Sequence, residues 1–447
     1  MWRKIIISVL IVIMLLMTTC VYLSNPPSVD RPGITSDSSD GAIVIYEVYK
    51  ILRKHDFYVQ RIGPEGDFLW GEKGILIGSG YKNWGGFDLH AVGDGSGGAI
   101  VIWPSHPKRR PYVEHVARVD SEGNIQWRRD IPRPSSPEVI ADGSGGVIIV
   151  GHFSERLYAL KIDSEGNFPW GKDGVSLGLR GYFPGRDTAS DNLGGAISVQ
   201  DITGEDIISA QRVDSEGNIS WQRSGVQVFV GCAGSPQVIS DGSGGAIIVY
   251  MRMTPSEEHK GCYSYSDSDI YAQRVDVEGN ILWQPDGVPI CVGPSHPEIS
   301  RIVDDGAGGA IIIWRRGGCI YAQRIDSKGN ILWQEDGVKV CEGGVNIRPF
   351  IVSDGSGGAI LVWSHADGIR VQRLDAMGRK PWGPNGAVVS SSQAQRGIVA
   401  ISEDGYGGVF ISWVASKFID DETASYVQRI DAQGNRLWGE KGILLNR

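Results

Sequence analysis

Apolar and polar residues recur along the chain in one compound pattern that favours β-strands. Segments such as PEVIAD (137–142) alternate apolar and polar residues, as a strand with one buried face does. GAIIVY (245–250) is almost wholly apolar, as expected of a strand buried on both faces. YAQRVD (271–276) alternates again, and NILW (280–283) begins a fourth strand. With Asp-Gly and Gly-Gly pairs supplying the positive φ of tight hairpins, the pattern predicts a four-stranded antiparallel unit.

This unit recurs eight times. Each copy closes on a tryptophan, and the mean spacing of about 53 residues is typical of a propeller blade: Trp70, Trp127, Trp170, Trp221, Trp283, Trp333, Trp382 and Trp438. The Gly-rich turns before the apolar strands begin at Asp94, Asp142, Asp191, Asp241, Asp305, Asp354 and Asp404, with a degenerate first copy around Asp40-Gly41. The copies occupy residues 33–447.

The repeat count predicts the architecture. A four-stranded unit cannot bury both of its faces alone, so eight copies favour radial packing into a closed ring. We predict an all-β fold, an eight-bladed β-propeller of four-stranded antiparallel blades. The first copy begins with a first strand (Ile34–Ser36) and the last ends after a fourth strand. Blade eight should therefore close on blade one by packing, without exchange of a strand.

The tryptophan hairpin resembles a known repeat. In AQRVDVEGNILW (272–283), Asp276 opens the hairpin, Gly279 closes it, and Trp283 follows four residues later. This order resembles the tryptophan-docking repeat of the PQQ-like β-propellers among bacterial extracytoplasmic proteins, although the hairpin is one residue shorter. The resemblance implies eight blades and a tryptophan packed between neighbours. The adjacent cysteine pair of many quinoprotein dehydrogenases is absent, so no cofactor is predicted.

The N-terminus predicts a membrane signal. Arg3 and Lys4 precede an apolar run over 5–23, and we assign residues 1–24 as a transmembrane or signal helix and 25–32 as a linker. Three interpretations of this segment remain open: an uncleaved anchor helix, a signal for lipidation at Cys20, or a cleaved secretory signal. All three place the propeller outside the cytoplasm, membrane-anchored or secreted.

Composition narrows the class of protein further. Glycine supplies 62 of 447 residues, and 41% of the chain is hydrophobic, which excludes a disordered chain. The single long apolar run excludes a polytopic membrane protein. The balance of 43 basic against 52 acidic residues gives a net charge of −9, which argues against a nucleic-acid binder that relies on positive charge.

The repeated polar residues favour structural roles. The Asp of each DGSGG turn could bind calcium, but each turn offers a single carboxylate, and bonding to its own turn backbone is favoured. The Gln-Arg pairs, such as Gln273-Arg274, could form an anion-binding ring as in a sialic-acid-cleaving propeller. Because they recur in almost every blade, we expect the arginines and tryptophans to join blades, and we predict no catalytic or metal-binding residue.

The cysteines predict disulfides. All five that follow the signal fall in connections that open on one face of a propeller: Cys232, Cys262, Cys291, Cys319 and Cys341. Two pairings have matching spacing, Cys232 with Cys262 and Cys291 with Cys319, which leaves Cys341 without a partner. A metal cluster is the alternative, but no Cys-x-x-Cys motif supports it.

The same face carries loops of varied length and charge. The basic loops are 49–56 and 104–111, and the acidic loops are 264–269 and 418–423. Variation within a repeat array is typical of a binding surface, although solvated loops can also drift without function. The candidate binding residues are Arg53, Lys54, Lys108, Arg109, Arg110, Asp267, Asp269, Asp420 and Asp421.

These features predict a membrane-tethered, extracytoplasmic binding scaffold for an unknown protein or surface glycan, without catalytic activity. An enzyme would need a polar constellation that breaks the repeat, and none stands out in the sequence. The alternative is a propeller enzyme acting on carbohydrate, a glycosidase or lyase, with its site on the variable face.

Overall fold

The computed structural model describes residues 33–445, except for 51–53, 82–88, 105–112, 133, 154–155, 181–184, 203–204, 254–267, 294–296, 344–348, 392–394 and 417–422. The N-terminal segment, where the membrane helix is predicted, and residues 446–447 lie outside this range. Across the described ranges, no helix has the length and apolar character needed to cross a bilayer.

The described chain forms eight separate four-stranded antiparallel sheets, each built from four consecutive strands in chain order, which confirms the predicted eight-bladed propeller. Blades one to four comprise β1 (Gly33–Ser36), β2 (Ala42–Lys50), β3 (Lys54–Ile62), β4 (Ile75–Tyr81); β5 (His90–Gly93), β6 (Ala99–Pro104), β7 (Val113–Val119), β8 (Ile125–Pro132); β9 (Ser135–Ala141), β10 (Val147–Phe153), β11 (Arg156–Ile162), β12 (Val175–Arg180); and β13 (Arg186–Ser190), β14 (Ala196–Ile202), β15 (Ile207–Val213), β16 (Val226–Val230).

Blades five to eight follow the same plan. They comprise β17 (Ala233–Ser240), β18 (Ala246–Met253), β19 (Ser268–Val275), β20 (Val288–Cys291); β21 (Glu298–Asp304), β22 (Ala310–Arg316), β23 (Cys319–Ile325), β24 (Val338–Lys339); β25 (Phe350–Ser353), β26 (Ala359–His365), β27 (Gly368–Leu374), β28 (Ala387–Ser390); and β29 (Gln395–Glu403), β30 (Val409–Ser416), β31 (Thr423–Ile430), β32 (Ile443–Leu444).

The hydrophobic core lies between the blades. Eight apolar clusters are formed, one at each interface of neighbouring sheets, and the apolar second strands contribute to the clusters on both sides. Ile311 and Ile312 of β22, for example, are both fully buried but belong to different clusters. This is why the second strands lack the polar alternation of a strand with one solvated face.

Each Gly-rich turn is closed by its own aspartate. In blade five, Oδ1 of Asp241 accepts hydrogen bonds from the backbone N–H of Ser243 and Gly245, at 2.8 and 2.9 Å. Its Oδ2 accepts 2.8 Å from Arg274, which also donates to the carbonyl of Ser327 in blade six. The predicted roles in turn closure and blade joining are confirmed. The first copy differs from the prediction, because Asp37 rather than Asp40 closes its turn.

The closing tryptophans dock on the next blade. Nε1 of Trp283 donates 3.3 Å to the carbonyl of Ser327, and the same bond joins all eight interfaces. Gln273 fixes the docking turn, because its side chain bonds the backbone on both sides, at Trp283 N and Gln284 O. The fourth strand of blade five therefore begins only at Val288, and the prediction that it starts at 280–283 is wrong.

The ring closes between blade eight and blade one without strand exchange, as predicted. Arg429 donates 2.8 Å to the carbonyl of Asp40 and 2.8 Å to its Oδ1. Trp438 donates 2.9 Å to the carbonyl of Pro64. The strand β1 contacts both β5 and β29, so the first strands form a continuous inner circle.

Candidate functional site in the central channel

The first strands of the eight blades surround the central channel. Each contacts the first strands of both neighbouring blades, and closed propellers leave a channel along this axis. All eight first strands run from the face of the variable loops towards the face of the Gly-rich turns, since each enters the turn closed by its blade's aspartate. Equivalent positions therefore lie at the same depth in the channel.

One position in this inner circle breaks the repeat. It lies four residues before each turn aspartate, and in all eight blades it pairs with the fourth residue of the second strand. We call these residues the channel ring: Gly33, His90, Glu138, Asp187, Gln237, Arg301, Phe350 and Ala400. Five neighbouring blades, two to six, supply polar or charged side chains at this level, whereas the other three supply glycine, alanine and phenylalanine.

Asp187 and Glu138 are neighbours in the channel ring. Oδ2 of Asp187 accepts a 2.9 Å hydrogen bond from the backbone N–H of Val238 on β17. Burial, followed by the nearby Glu138 carboxylate, raises the pKa of Asp187 from 3.8 to about 7, against the opposing effects of Val238 and the Arg301 charge. The Asp187 carboxyl can therefore hold a proton near neutral pH.

Arg186 of blade four, next to Asp187 in the chain, holds Glu138 of blade three in place. Its Nε lies 3.4 Å from Oε2 of Glu138, and its side chain is only 8% exposed. One Nη donates to the backbone carbonyl of Ser136, and the other lies 3.2 Å from Nδ1 of His152 at the end of β10. A guanidinium held by three partners restricts the position of the Glu138 carboxylate beside Asp187.

Arg301 in blade six supplies a positive charge to the channel ring. It is exposed, and its guanidinium carbon lies 5.4 Å from the ring centroid of Phe350 in the next blade. Its charge reaches Asp187, two blades away, and opposes the raised pKa of that carboxyl. Acidic side chains from blades three and four and an arginine from blade six therefore face a common space.

A further carboxylate lies close to the mouth on the variable face. Asp201 is the penultimate residue of β14, and its backbone N–H donates 2.8 Å to the carbonyl of Gly185. Burial, followed by the charge of Asp206, raises the pKa of Asp201 to about 6. The acidic character of blade four thus extends from the channel ring to the variable face.

The other end of the channel is lined by small polar residues that serve the turns. Ser190, Ser240 and Ser353 each accept a hydrogen bond from the backbone N–H two residues later. Glu403 occupies the equivalent position in blade eight, where burial and the charges of Asp304 and Asp404 raise its pKa. We assign these residues to turn closure rather than to the site.

The site has the chemistry of proton transfer. A carboxyl group that titrates near pH 7 can donate a proton to a leaving group or remove one from a substrate, and fixed arginines can hold an anionic group beside it. In the described part of the chain, no cluster of three or more metal-ligating side chains is present.

Most of the binding residues predicted from the sequence lie outside the described residues. These are Arg53, Lys108, Arg109, Arg110, Asp267, Asp420 and Asp421, and the side chain of Lys54 at the start of β3 is likewise not described. Asp269 is described: its Oδ1 accepts 2.9 Å from the backbone N–H of Gly293. It closes a connection on the variable face, and its role in binding stays a prediction.

The cysteine predictions have mixed outcomes. Cys232 is disulfide-bonded, but Cys262 lies outside the described residues, so their pairing stays a prediction. The predicted Cys291–Cys319 disulfide is wrong, because both are free thiols, as is Cys341. The sulfur of Cys291 instead lies 3.8 Å from the guanidinium of Arg316, the residue that pairs with Cys319 across the hairpin. Cys20 lies outside the described residues.

Sequence reasoning missed the channel ring. Its members are far apart along the chain, and none forms a recognisable motif with its sequence neighbours. A signal was nevertheless present, because aligning the eight copies on the turn aspartate shows one first-strand position that changes from glycine to histidine, acid, amide, arginine and phenylalanine. Only the register shows that this position lies at one depth in every blade.

The comparisons with known proteins find a likeness among solved structures only. No family model and no curated protein matches the chain. Among solved structures, it resembles a puromycin hydrolase (TM-score 0.44, 15% identity, 79% of this chain and 53% of that one). It also resembles prolyl oligopeptidase B from Galerina marginata (0.46, 10%, 90% and 55%) and the β-propeller domain of the Trilobed protease from Pyrococcus furiosus (0.42, 11%, 78% and 98%). The chain spans about half the length of the first two.

The channel ring corrects the predicted function. The expectation of a binding scaffold without catalytic activity is wrong in its premise. The expectation rested on the absence of a polar constellation that breaks the repeat. The channel ring is such a constellation, with a carboxyl whose pKa is raised to about 7.

Proposed function

We propose that the propeller is an enzyme of the glycosidase or lyase class, acting on carbohydrate at the channel ring. The observation that carries the proposal is the buried position of Asp187 beside Glu138: burial, followed by the Glu138 charge, raises the pKa of Asp187 to about 7. A carboxylic acid that keeps its proton at neutral pH is the group that protonates a departing glycosidic oxygen.

The roles follow from the contacts. Asp187 acts as the general acid, since burial and its acidic neighbour disfavour its ionised form. Glu138 is ion-paired with Arg186 at 3.4 Å, which holds its carboxylate beside Asp187. Glu138 then serves as the base or as the group that stabilises positive charge on the sugar. Arg301 faces the pair and suits an anionic substituent.

The substrate enters from the variable face. Asp187 is the second residue of β13, so it lies near the end of the channel where connections of varied length converge. The acidic group at Asp201 lies on the same route. The loops at this end of the channel would then select the substrate, which explains why they vary in length and charge from blade to blade.

We also propose that the enzyme works outside the cytoplasm, tethered through residues 1–24 or secreted after their removal. The Arg3-Lys4 pair ahead of the apolar run supports this location, and a disulfide at Cys232 is consistent with an oxidising compartment. The docking of each tryptophan on the next hairpin supports a repeat of the PQQ-like, tryptophan-docking type.

The test is an activity screen of the purified full chain against neutral and uronic-acid polysaccharides, followed by Asp187→Asn and Glu138→Gln. Loss of general acid catalysis should lower kcat by about 100-fold or more, because positioned proton transfer contributes on that scale. The basic limb of the pH profile should report Asp187. Glu205→Gln, at an exposed carboxylate, is the matched control.

Turnover that persists in both channel variants at the rate of the control would reject the assignment. Fold integrity is checked by urea unfolding of each variant, so that loss of activity from misfolding is recognised.

A further inference from the structure

A second cavity lies away from the channel, on the outer side of the interface between blades three and four. Its volume is about 760 Å³. One wall is formed by the outer strands of blade three, with Arg156 at the start of β11 and Ser176 and Leu179 on β12. The other wall is the segment of blade four that leads into β16 and carries Arg223 and Ser224.

The cavity owes its shape to one glycine. Gly178 lies in the middle of β12 with a φ of +73°, and a Cβ there would stand 2.5 Å from the carbonyl oxygen of Arg223. The register between β11 and β12 shifts between Arg156 and Tyr158, which marks a bulge. The two blades therefore approach each other by backbone at this point of the cavity wall.

The charge of the cavity is one-sided. Arg156 and Arg223 are both exposed, and within the described part of the chain neither guanidinium has an ion-pair partner. No acidic residue is among the described residues that line the cavity. Most arginines of the third strands are held by turn aspartates, as Arg212 is by Asp191 at 2.8 Å, whereas Arg156 and Arg223 are not. These two remain available for an anion.

The remaining lining residues indicate the rest of the ligand. Leu179, Ile219 and the edge of Trp221 give an apolar floor, and Ser176 and Ser224 add two hydroxyls. A sugar ring offers an apolar face together with hydroxyl groups, and a carboxylate or sulfate on it would meet the arginines. An aromatic carboxylate would leave the serines unused, and an inorganic anion would leave the floor uncovered.

We propose that this cavity is a binding site for an anionic oligosaccharide, separate from the channel ring. A volume of about 760 Å³ accommodates several sugar units. The site lies on the rim of the ring, where a polymer can be held without entering the channel. The inference does not depend on the channel being catalytic.

The test uses the full chain and tetragalacturonate as the probe, measured by calorimetry. Arg156→Ala and Arg223→Ala should each weaken binding about tenfold, and the double variant about 100-fold, since each removes a charge-assisted bond. Arg128→Ala, an exposed arginine on β8 outside the cavity, should leave binding unchanged.

Two comparisons define the ligand class. Maltotetraose, which is neutral, and inorganic sulfate, which has no sugar ring, should bind at least about tenfold more weakly than tetragalacturonate. Equal binding of maltotetraose, equal binding of sulfate, or an acidic peptide that binds more tightly would overturn the proposal. Tetragalacturonate binding that is insensitive to both arginine substitutions would overturn it as well.

Discussion

At the scale of single residues, the turn aspartate carries more than one contact. Asp241 bonds two backbone N–H groups of its turn and also Arg274, and it is almost fully buried. Asp276 makes the same two kinds of backbone bond in an exposed hairpin, without an arginine. The two residues thus share their local hydrogen bonds. They differ in the burial and the arginine contact that the tertiary structure adds at Asp241.

This difference predicts unequal losses on substitution. Asp241→Ala should destabilise the protein by about 3 kcal/mol, because it removes the ion-pair partner of the half-buried Arg274 and the acceptor of two N–H groups. Asp276→Ala should cost about 1 kcal/mol, since water replaces the exposed acceptor. Urea unfolding of both variants measures this, and equal losses would show that the arginine contact adds nothing.

The raised pKa of Asp187 predicts a pH-dependent stability. Its folded value of about 7 lies above its ordinary value of 3.8, so the folded state binds the proton more tightly. The stabilisation is complete below about pH 4 and is lost as the pH rises through about 7. The asparagine of Asp187→Asn carries no charge at any pH. The substitution should therefore leave the free energy of unfolding nearly unchanged at pH 4 and raise it at pH 8, by on the order of 2 kcal/mol.

Urea unfolding of the wild type and Asp187→Asn at both pH values tests the sign. Glu205→Gln is the control. A stabilisation at pH 4 that equals the one at pH 8 would contradict the titration assigned to Asp187.

At the scale of elements, the hairpin and the tryptophan form one unit across two blades. Gly217 in blade four has a φ of +89°, and a Cβ there would stand 2.7 Å from Cδ1 of Trp170 in blade three. Gly242 has a similar φ of +80°, but nothing lies within 4 Å of a Cβ. Gly217 is therefore needed for conformation and for close approach, whereas Gly242 is needed for conformation alone.

The two glycines form a matched pair of substitutions. Gly242→Ala should cost about 1 kcal/mol from backbone strain. Gly217→Ala should cost about 2 kcal/mol more, because the new methyl group displaces Trp170. Chemical denaturation of both variants gives the difference, and its absence would mean that the indole moves away without cost.

At the scale of the whole molecule, the seam between blades eight and one is the interface without a peptide connection. Arg429 and Trp438 join it with the contacts that the other interfaces use, and Arg429 adds a bond to the Asp40 side chain. At the other interfaces, the peptide chain still joins neighbouring blades when a side-chain contact is removed. At this seam, removal of such a contact can open the ring.

We therefore predict different consequences for equivalent arginines. Arg429→Ala should speed amide hydrogen exchange in β1 and β31 together by about tenfold or more, because the seam can separate. Arg274→Ala removes the equivalent contact between blades five and six and should affect mainly its own turn. Exchange measured by mass spectrometry compares them, and similar local effects would indicate a ring that is closed equally firmly everywhere.

Repeated features were predictable from the sequence because each copy supports the others. The Asp-Arg-Trp contacts recur, so an interpretation made for one blade applies to most of the others. The number of copies then gives the number of blades, and the strands that begin and end the array give the mode of ring closure. The start of the fourth strand was mispredicted because the Gln273 side chain replaces strand pairing around Trp283, a competition that alternation does not show. The Cys291–Cys319 pairing failed because matching spacing does not place two sulfurs together; Cys291 meets Arg316.

The sequence by itself determined the parts of this protein that depend on local pattern and repetition: strands, turns, eight blades and the buried second strands. The tertiary structure alone decided the channel ring and the cavity between blades three and four. Glu138, Asp187 and Arg301 are separated by 49 and 114 residues, and they share one space only because equal register in each blade sets them at equal depth around the axis. A pKa of about 7 at Asp187 follows from that convergence, since burial and a neighbouring charge are properties of the assembled ring.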